Sequence, residues 1–390
     1  MAAPSWWAPA TVSRRDAPDR NRPRRATGGA FSCACGATAL TIAQTIYSLS
    51  ETTFGEERGI MEPIQAQAGA RGAAGDRLPW LFPVWLLVFF SVWVWLVTEG
   101  GLWPVAASNW PVAVAMALGS FFAGSTPFGG GVVGFPALVF LLGEGGSLGR
   151  DFSLAVQSIG MVSASVYILS NRLPVNWALL RPAILASLIA LPVHLALIAP
   201  VLPESASKAV FACLWMSFGV AMLLRQKRLE PQSGIGDLAR PNLSGVLVAA
   251  VGCGVVSLVG SGIDMIAFMV LMVLARGDLR VAIPTSVVLM AFNSVLGVST
   301  QMTLGRFDPD VFHYWLAAAP IVALGAPIGV AVVRTLPRGL GLRVITVLCL
   351  AQFGWAAYTG QISAGIAIGG GLAAVALAAF IARLIDSRKA

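Results

Sequence analysis

Charge is what this chain has least of. Only 11% of its 390 residues are Asp, Glu, Lys or Arg, while 57% are hydrophobic. With a mean hydropathy of +0.78, that balance excludes a soluble enzyme and describes a polytopic membrane protein. Histidine occurs twice and cysteine five times. Cys33-Ala-Cys35 is too tight a spacing for a zinc site without further ligands, and Cys213, Cys253 and Cys349 fall in apolar stretches as plain core residues. No metal and no cofactor is expected. The phosphate-loop pattern is missing, which excludes an ATPase. The net charge of +8 comes from Lys and Arg in the N-terminal tail and the loops. It reads as an orientation signal beside an anionic leaflet, so the expected partners are a lipid bilayer and a small solute, with no nucleic acid.

Against this background, the stretch 110–143 stands out. It is uncharged and apolar throughout, yet its middle reads Gly124-Ser125-Thr126-Pro127-Phe128-Gly129-Gly130-Gly131. As one helix it would run about 50 Å, against a hydrocarbon core of about 30 Å. Glycine and proline at that density stop a helix. The spacing predicts a re-entrant hairpin of two half-helices meeting at depth. Irregular backbone survives there only in a protein interior or beside a wet cavity, where transporters hold their substrates.

In chain order, residues 1–79 are rich in Pro, Arg, Gly and Ala and read as a disordered basic tail, or as an over-long start with Met61 the true initiator. A first span follows at 80–98, with a belt of Trp80, Trp85, Trp93 and Trp95. The region 110–224 forms a first transporter repeat: the hairpin, then spans near 152–170, 176–200 and 206–224. A cytoplasmic linker occupies 225–242. The second repeat, 243–358, opens with another over-long apolar stretch, 243–275, broken near Gly260-Ser261-Gly262. Its spans lie near 281–303, 312–334 and 340–358, and a last span with a basic C-terminus fills 363–390.

The two repeats correspond at offsets between 128 and 135, pairing Gly131 with Asp264, Ser158 with Ser286, and Pro192 with Pro327. If each broken stretch returns to its own side, 14 basic residues fall in inner loops and 3, Arg150, Lys208 and Arg306, in outer ones. This obeys the positive-inside rule and puts both termini in the cytoplasm. Three full spans per repeat then make the copies inverted. The fold class expected is an all-α polytopic membrane protein of two inverted repeats, each a broken hairpin plus three spans, with one extra span before and one after.

The candidate substrate-binding residues lie at the breaks and on a flanking polar stripe. Glycines at a helix break let backbone N–H groups converge on a small anion, which nominates Pro127, Phe128, Gly129, Gly130, Gly131, Gly260, Ser261 and Gly262. Close helix packing is the other use of such glycines. Gln157, Ser158 and Ser165 in one copy and Thr285, Ser286 and Asn293 in the other make matching polar stripes, either lining the site or joining helices. Asp264 is the one acid placed inside a predicted intramembrane segment, and a carboxyl there is costly unless protonated, paired or solvated. It is the candidate proton carrier; its other reading is a cap on the broken helix. His194, beside Pro192 in mid-span, is a second candidate for proton coupling, or else bonds the carbonyl that the proline frees.

At these residues the chain resembles a known family. Phe128–Leu138, F-G-G-G-V-V-G-F-P-A-L, is similar to the glycine-triplet-to-proline signature of the TauE/SafE family of sulfite and organosulfonate exporters. Ala282–Ser286, A-I-P-T-S, resembles that family's Ala-x-x-Thr-Ser motif. The second repeat departs from the pattern, with Gly260-Ser261-Gly262 and Asp264 where a glycine triplet is usual and Met269 in place of the proline. The resemblance implies secondary transport of a small sulfur-containing anion across a bacterial inner (plasma) membrane, as an exporter. The rivals are an intramembrane enzyme and a non-catalytic membrane assembly protein. An intramembrane aspartyl protease needs two acids, and an assembly protein needs neither an acid nor a glycine break at mid-depth.

Overall fold

In a bilayer every backbone polar group needs an internal partner, so an apolar chain of this length has helices as its simplest solution. The computed structural model describes residues 78–126, 129–225, 238–275 and 277–333, with single positions between 347 and 358. Pro127 and Phe128, residues 1–77 of the tail, residues 226–237 of the linker and nearly all of the last two expected spans lie outside the described residues.

Everything regular among the described residues is helical. Leu81–Glu99 (α1), the short Trp103–Ser108 (α2) and Trp110–Ser125 (α3) come first. Gly131–Pro136 (α4) runs on as a π-helical turn, Ala137–Leu141. Gly146–Ser170 (α5), Trp177–Val193 (α6, with a π turn His194–Ile198) and Glu204–Arg225 (α7) complete the first half. The second holds Pro241–Val259 (α8), Ile263–Met269 (α9, with a π turn Val270–Leu274), Leu279–Thr303 (α10) and Val311–Val333 (α11). Six of these, with the π turn of α6 included, are long and apolar enough to cross a bilayer: α1, α5, α6, α8, α10 and α11.

Both broken stretches double back. A Cβ on Gly119 of α3 would lie 2.7 Å from Val133 Cβ, and one on Gly134 would lie 3.5 Å from Met116 Sδ. Positions 116 and 119 therefore pair with 134 and 133, in antiparallel order. In the second stretch Gly252 faces Ile263 and Gly262 faces Val255, again antiparallel.

The helices are ranked by depth. The most apolar window of α10 is 94% buried and that of α5 72%, against 11% for α1 and 22% for α6. So α5 and α10 pack together as the centre, while α1 and α6 turn residues such as Leu87, Trp95, Leu185 and Ile189 outward. The outer contacts cross between the halves, with α11 lying along α3 and α6 along α8. Small residues bring these backbones together. A Cβ on Gly124 would strike the Ala326 carbonyl, one on Gly329 the Phe121 carbonyl, and one on Gly325 the Ser120 hydroxyl. On the other side, Gly245 meets the backbone of Leu179 and Ala183.

Two expectations change. The helix expected from 152 starts at Gly146, so Arg150 and Asp151 lie within it and not in a loop, and Asp264 is not the one buried acid. Mutual pairing is the reason, since Arg150 Nε donates to Asp151 Oδ1 at 2.8 Å and Gln301 Nε2 donates to the same oxygen at 3.1 Å. The tryptophan belt is also split. Trp80 and Trp95 are exposed, but Trp93 Nε1 reaches inward to the Leu316 carbonyl at 3.2 Å.

Candidate functional site

The two breaks face each other. At the first, α3 ends in the extended Thr126, whose hydroxyl donates to the Phe122 carbonyl at 2.6 Å, and Gly129 turns the chain at φ +60°. At the second, Gly262 sits at φ +120°, a backbone that residues with a Cβ rarely adopt. A Cβ added at Gly129 would touch both Asp264 Oδ2 and Gln157 Oε1, and one at Gly131 would touch the Ser261 hydroxyl. The glycines of the first break are thus the seats into which side chains of the second break and of α5 project.

Gln157 is the hub. Its Nε2 donates to the Ser153 carbonyl at 3.0 Å and to the Gly260 carbonyl at 2.9 Å. Those two acceptors fix the amide orientation and turn Oε1 toward Gly129. Its Cγ lies 3.3 Å from where a Gly130 Cβ would be. One side chain of α5 therefore contacts both breaks. A small cavity beside it, lined among others by Gly130, Ser120 and Met161, has a volume of about 10 Å³, room for about one water.

The two carboxyl oxygens of Asp264 are used differently. Oδ1 accepts the N–H groups of Gly262 at 3.1 Å and Met265 at 3.0 Å, and so caps the start of α9. Among the described residues Oδ2 has no partner, and neither do Gln157 Oε1, Ser261 Oγ or Ser153 Oγ, though all four are buried. A buried polar atom without a partner costs about 1–3 kcal/mol. Four at one crossing are a poor design for stability alone.

The remaining candidates lie elsewhere. Ser158 Oγ donates to the Ala155 carbonyl of its own helix at 2.8 Å, and Ser286 does the same to Ile283 at 2.9 Å. Thr285 Oγ1 accepts the Asn176 N–H at 2.9 Å and so anchors the start of α6. Asn293 Oδ1 lies 3.5 Å from Cys253 Sγ, which is also 3.5 Å from Ser187 Oγ; this forms a separate polar contact between α6, α8 and α10. His194 is half-buried against Gly254 of α8, and its Nδ1 meets the Ala190 carbonyl at 2.6 Å. That is not the carbonyl freed by Pro192, because a proline at 192 leaves the carbonyl four residues before it without a donor. The structure therefore brings together Gly129, Gly130, Gly131, Gln157, Gly260, Ser261 and Asp264. It leaves Ser158, Thr285, Ser286, Asn293 and His194 to helix contacts. Gly262 shapes the turn, packed on Val255 and Trp215.

Sequence reasoning missed Ser153, Arg150, Asp151 and Gln301. The available signal was spacing: Arg150, Ser153 and Gln157 stand at i, i+3 and i+7, one face of a helix.

Comparison with curated proteins and with solved structures gives no match. The sequence pattern of one family does match, over residues 112–357, which takes in both breaks and every helix from α3 onward. On that match, the chain belongs to the sulfite exporter TauE/SafE family, a family of membrane transporters.

Proposed function

We propose that this transporter exports a small sulfur oxyanion, sulfite or an organosulfonate, by proton-coupled secondary transport, with the crossing of its two breaks as the substrate and coupling site. The observation that carries the proposal is the meeting of Gln157, Ser261 and Asp264 at the glycines of the first break, where Gln157 Oε1, Ser261 Oγ and Asp264 Oδ2 are buried without partners among the described residues. Glycine backbone, with Pro127 and Phe128 leading into it, provides close approach for the anion, and Asp264 Oδ2 is the atom that takes the proton. Reciprocal packing of α11 on α3 and α6 on α8 supports an inverted pair of repeats, 110–224 and 243–358, interlocked around that crossing. The antiparallel hairpins support the topology with both termini cytoplasmic, in a bacterial plasma membrane. The residue types at the crossing favour transport over the rival readings of an intramembrane enzyme or an assembly protein.

Reconstituted protein tests this directly. Liposomes with an imposed pH gradient are given sulfite, methanesulfonate, phosphate or chloride. Sulfur oxyanions should accumulate against their gradient, and Asp264→Asn should keep exchange while losing pH-driven accumulation. Because Asn also caps helices well, an Asp264→Asn protein with undiminished pH-driven transport removes the proton role.

A further inference from the structure

The polar side chains do not stop at the crossing. On α5 they continue toward the helix start along one face, from Gln157 through Ser153 to Arg150, a rise of about 10 Å. Ser153 Oγ is buried without a partner, 3.6 Å from the position of a Gly134 Cβ, and so faces α4. The Arg150 carbonyl and Ser153 Cβ, 2.8 Å from a built Gly260 Cβ, both press on the second break. This second turn of α5 is therefore part of the wall of the crossing.

Arg150 is the one Lys or Arg buried among the described residues. Its pairing is lopsided. Only Nε engages Asp151, through Oδ1, and the carboxylate is otherwise turned to the Gln301 amide and the Asp308 backbone and not to the guanidinium. A pair built for stability would use two parallel N–H···O bonds. Here the terminal Nη groups have no acceptor among the described residues, although guanidinium donors on that edge fit an oxyanion with two oxygens. Accessibility is divided in the same way: the Arg150 side chain keeps 10% of its surface and that of Asp151 1%. The acid is sealed in and the base reaches outward. Gln301, bonded to the same Asp151 oxygen, fixes the acid from α10.

We infer that Arg150 is an anion-recognition group at the outer mouth of the path, holding a small oxyanion through its Nη edge where it leaves the crossing past Ser153 on export, or enters from that side when transport is run in reverse. Asp151 and Gln301 are positioning residues that aim the guanidinium. The inference rests on the transport reading given above, and assigns it a recognition site outside the breaks.

Labelled sulfite uptake into proteoliposomes tests it, with gel filtration and thermal unfolding of each variant alongside. Arg150→Gln should raise KM about ten-fold or more while the maximal rate stays near that of the wild type. Arg150→Lys keeps the charge without the planar edge, and its KM should fall between the two. An unchanged KM in a folded Arg150→Gln protein overturns the assignment. Should that variant fail to fold, Arg150→Lys decides, and an unchanged KM there overturns it equally. A wild-type protein that moves no sulfur oxyanion removes the transport reading first and this one with it.

Discussion

At Gly129–Gly131 the first break presents backbone alone, whereas the second presents Ser261 and Asp264 to the same space. The two stretches occupy corresponding places in the chain and fold into similar antiparallel hairpins, yet their chemistry is opposite. Neither makes the polar cluster alone. The glycines leave seats empty, and the second break, with Gln157 from α5, fills them. The lesson is that corresponding positions in the two halves need not be equivalent. One supplies room, and the other supplies a carboxyl and a hydroxyl.

The sharpest way to break this division is to fill a seat. Gly129→Ala places a methyl against Asp264 Oδ2 and Gln157 Oε1, at a φ of +60° that disfavours it anyway. The overpacking costs about 1–3 kcal/mol, so the protein should still reach the membrane while transport falls to background. Membrane level by blotting, read beside uptake, checks this, and normal uptake would return the glycine to a plain packing role. A smaller effect is expected from removing the hub. Gln157→Leu keeps the volume but loses the bond to the Gly260 carbonyl that ties α5 to the second break, and transport should drop about ten-fold. The mildest change makes the two breaks alike. Ser261→Gly turns 260–262 into a second glycine triplet and removes one unpartnered hydroxyl. Its unfolding free energy should move by no more than about 1 kcal/mol, and the KM for sulfite should rise about three-fold. A rise as large as that of Gln157→Leu would mean that the hydroxyl, and not the amide, is the main contact.

The hairpins were legible because glycine and proline at that density inside an apolar run leave few other options. Asp264 was legible because a carboxyl in such a run needs a reason to be there. What the sequence does not display is which distant residues meet. Gln157 and Ser158 are neighbours about 100° apart on α5, and only the packing of α5 between the breaks selects the first for the crossing and leaves the second to its own backbone. Arg150 and Asp151 read as the edge of a loop because charge beside an apolar run usually marks the end of a span. Their bond to each other, and the one from Gln301 on α10, keep them inside the helix, and Gln301 comes from the far half of the chain.

The glycine contacts between α3 and α11 bear on what can move. Gly124 and Gly329 bring backbone against backbone and Gly325 seats the short Ser120 side chain, leaving little side-chain cushion between the helices. The same holds where Gly245 of α8 meets α6. Each of these welds joins a helix from before the linker to one from after it. The seam in the sequence is therefore not a hinge in the molecule. Any rocking during transport has to run between the α3–α11 pair and the α6–α8 pair, two bodies that each borrow from both ends of the chain, with α5 and α10 as the axle between them.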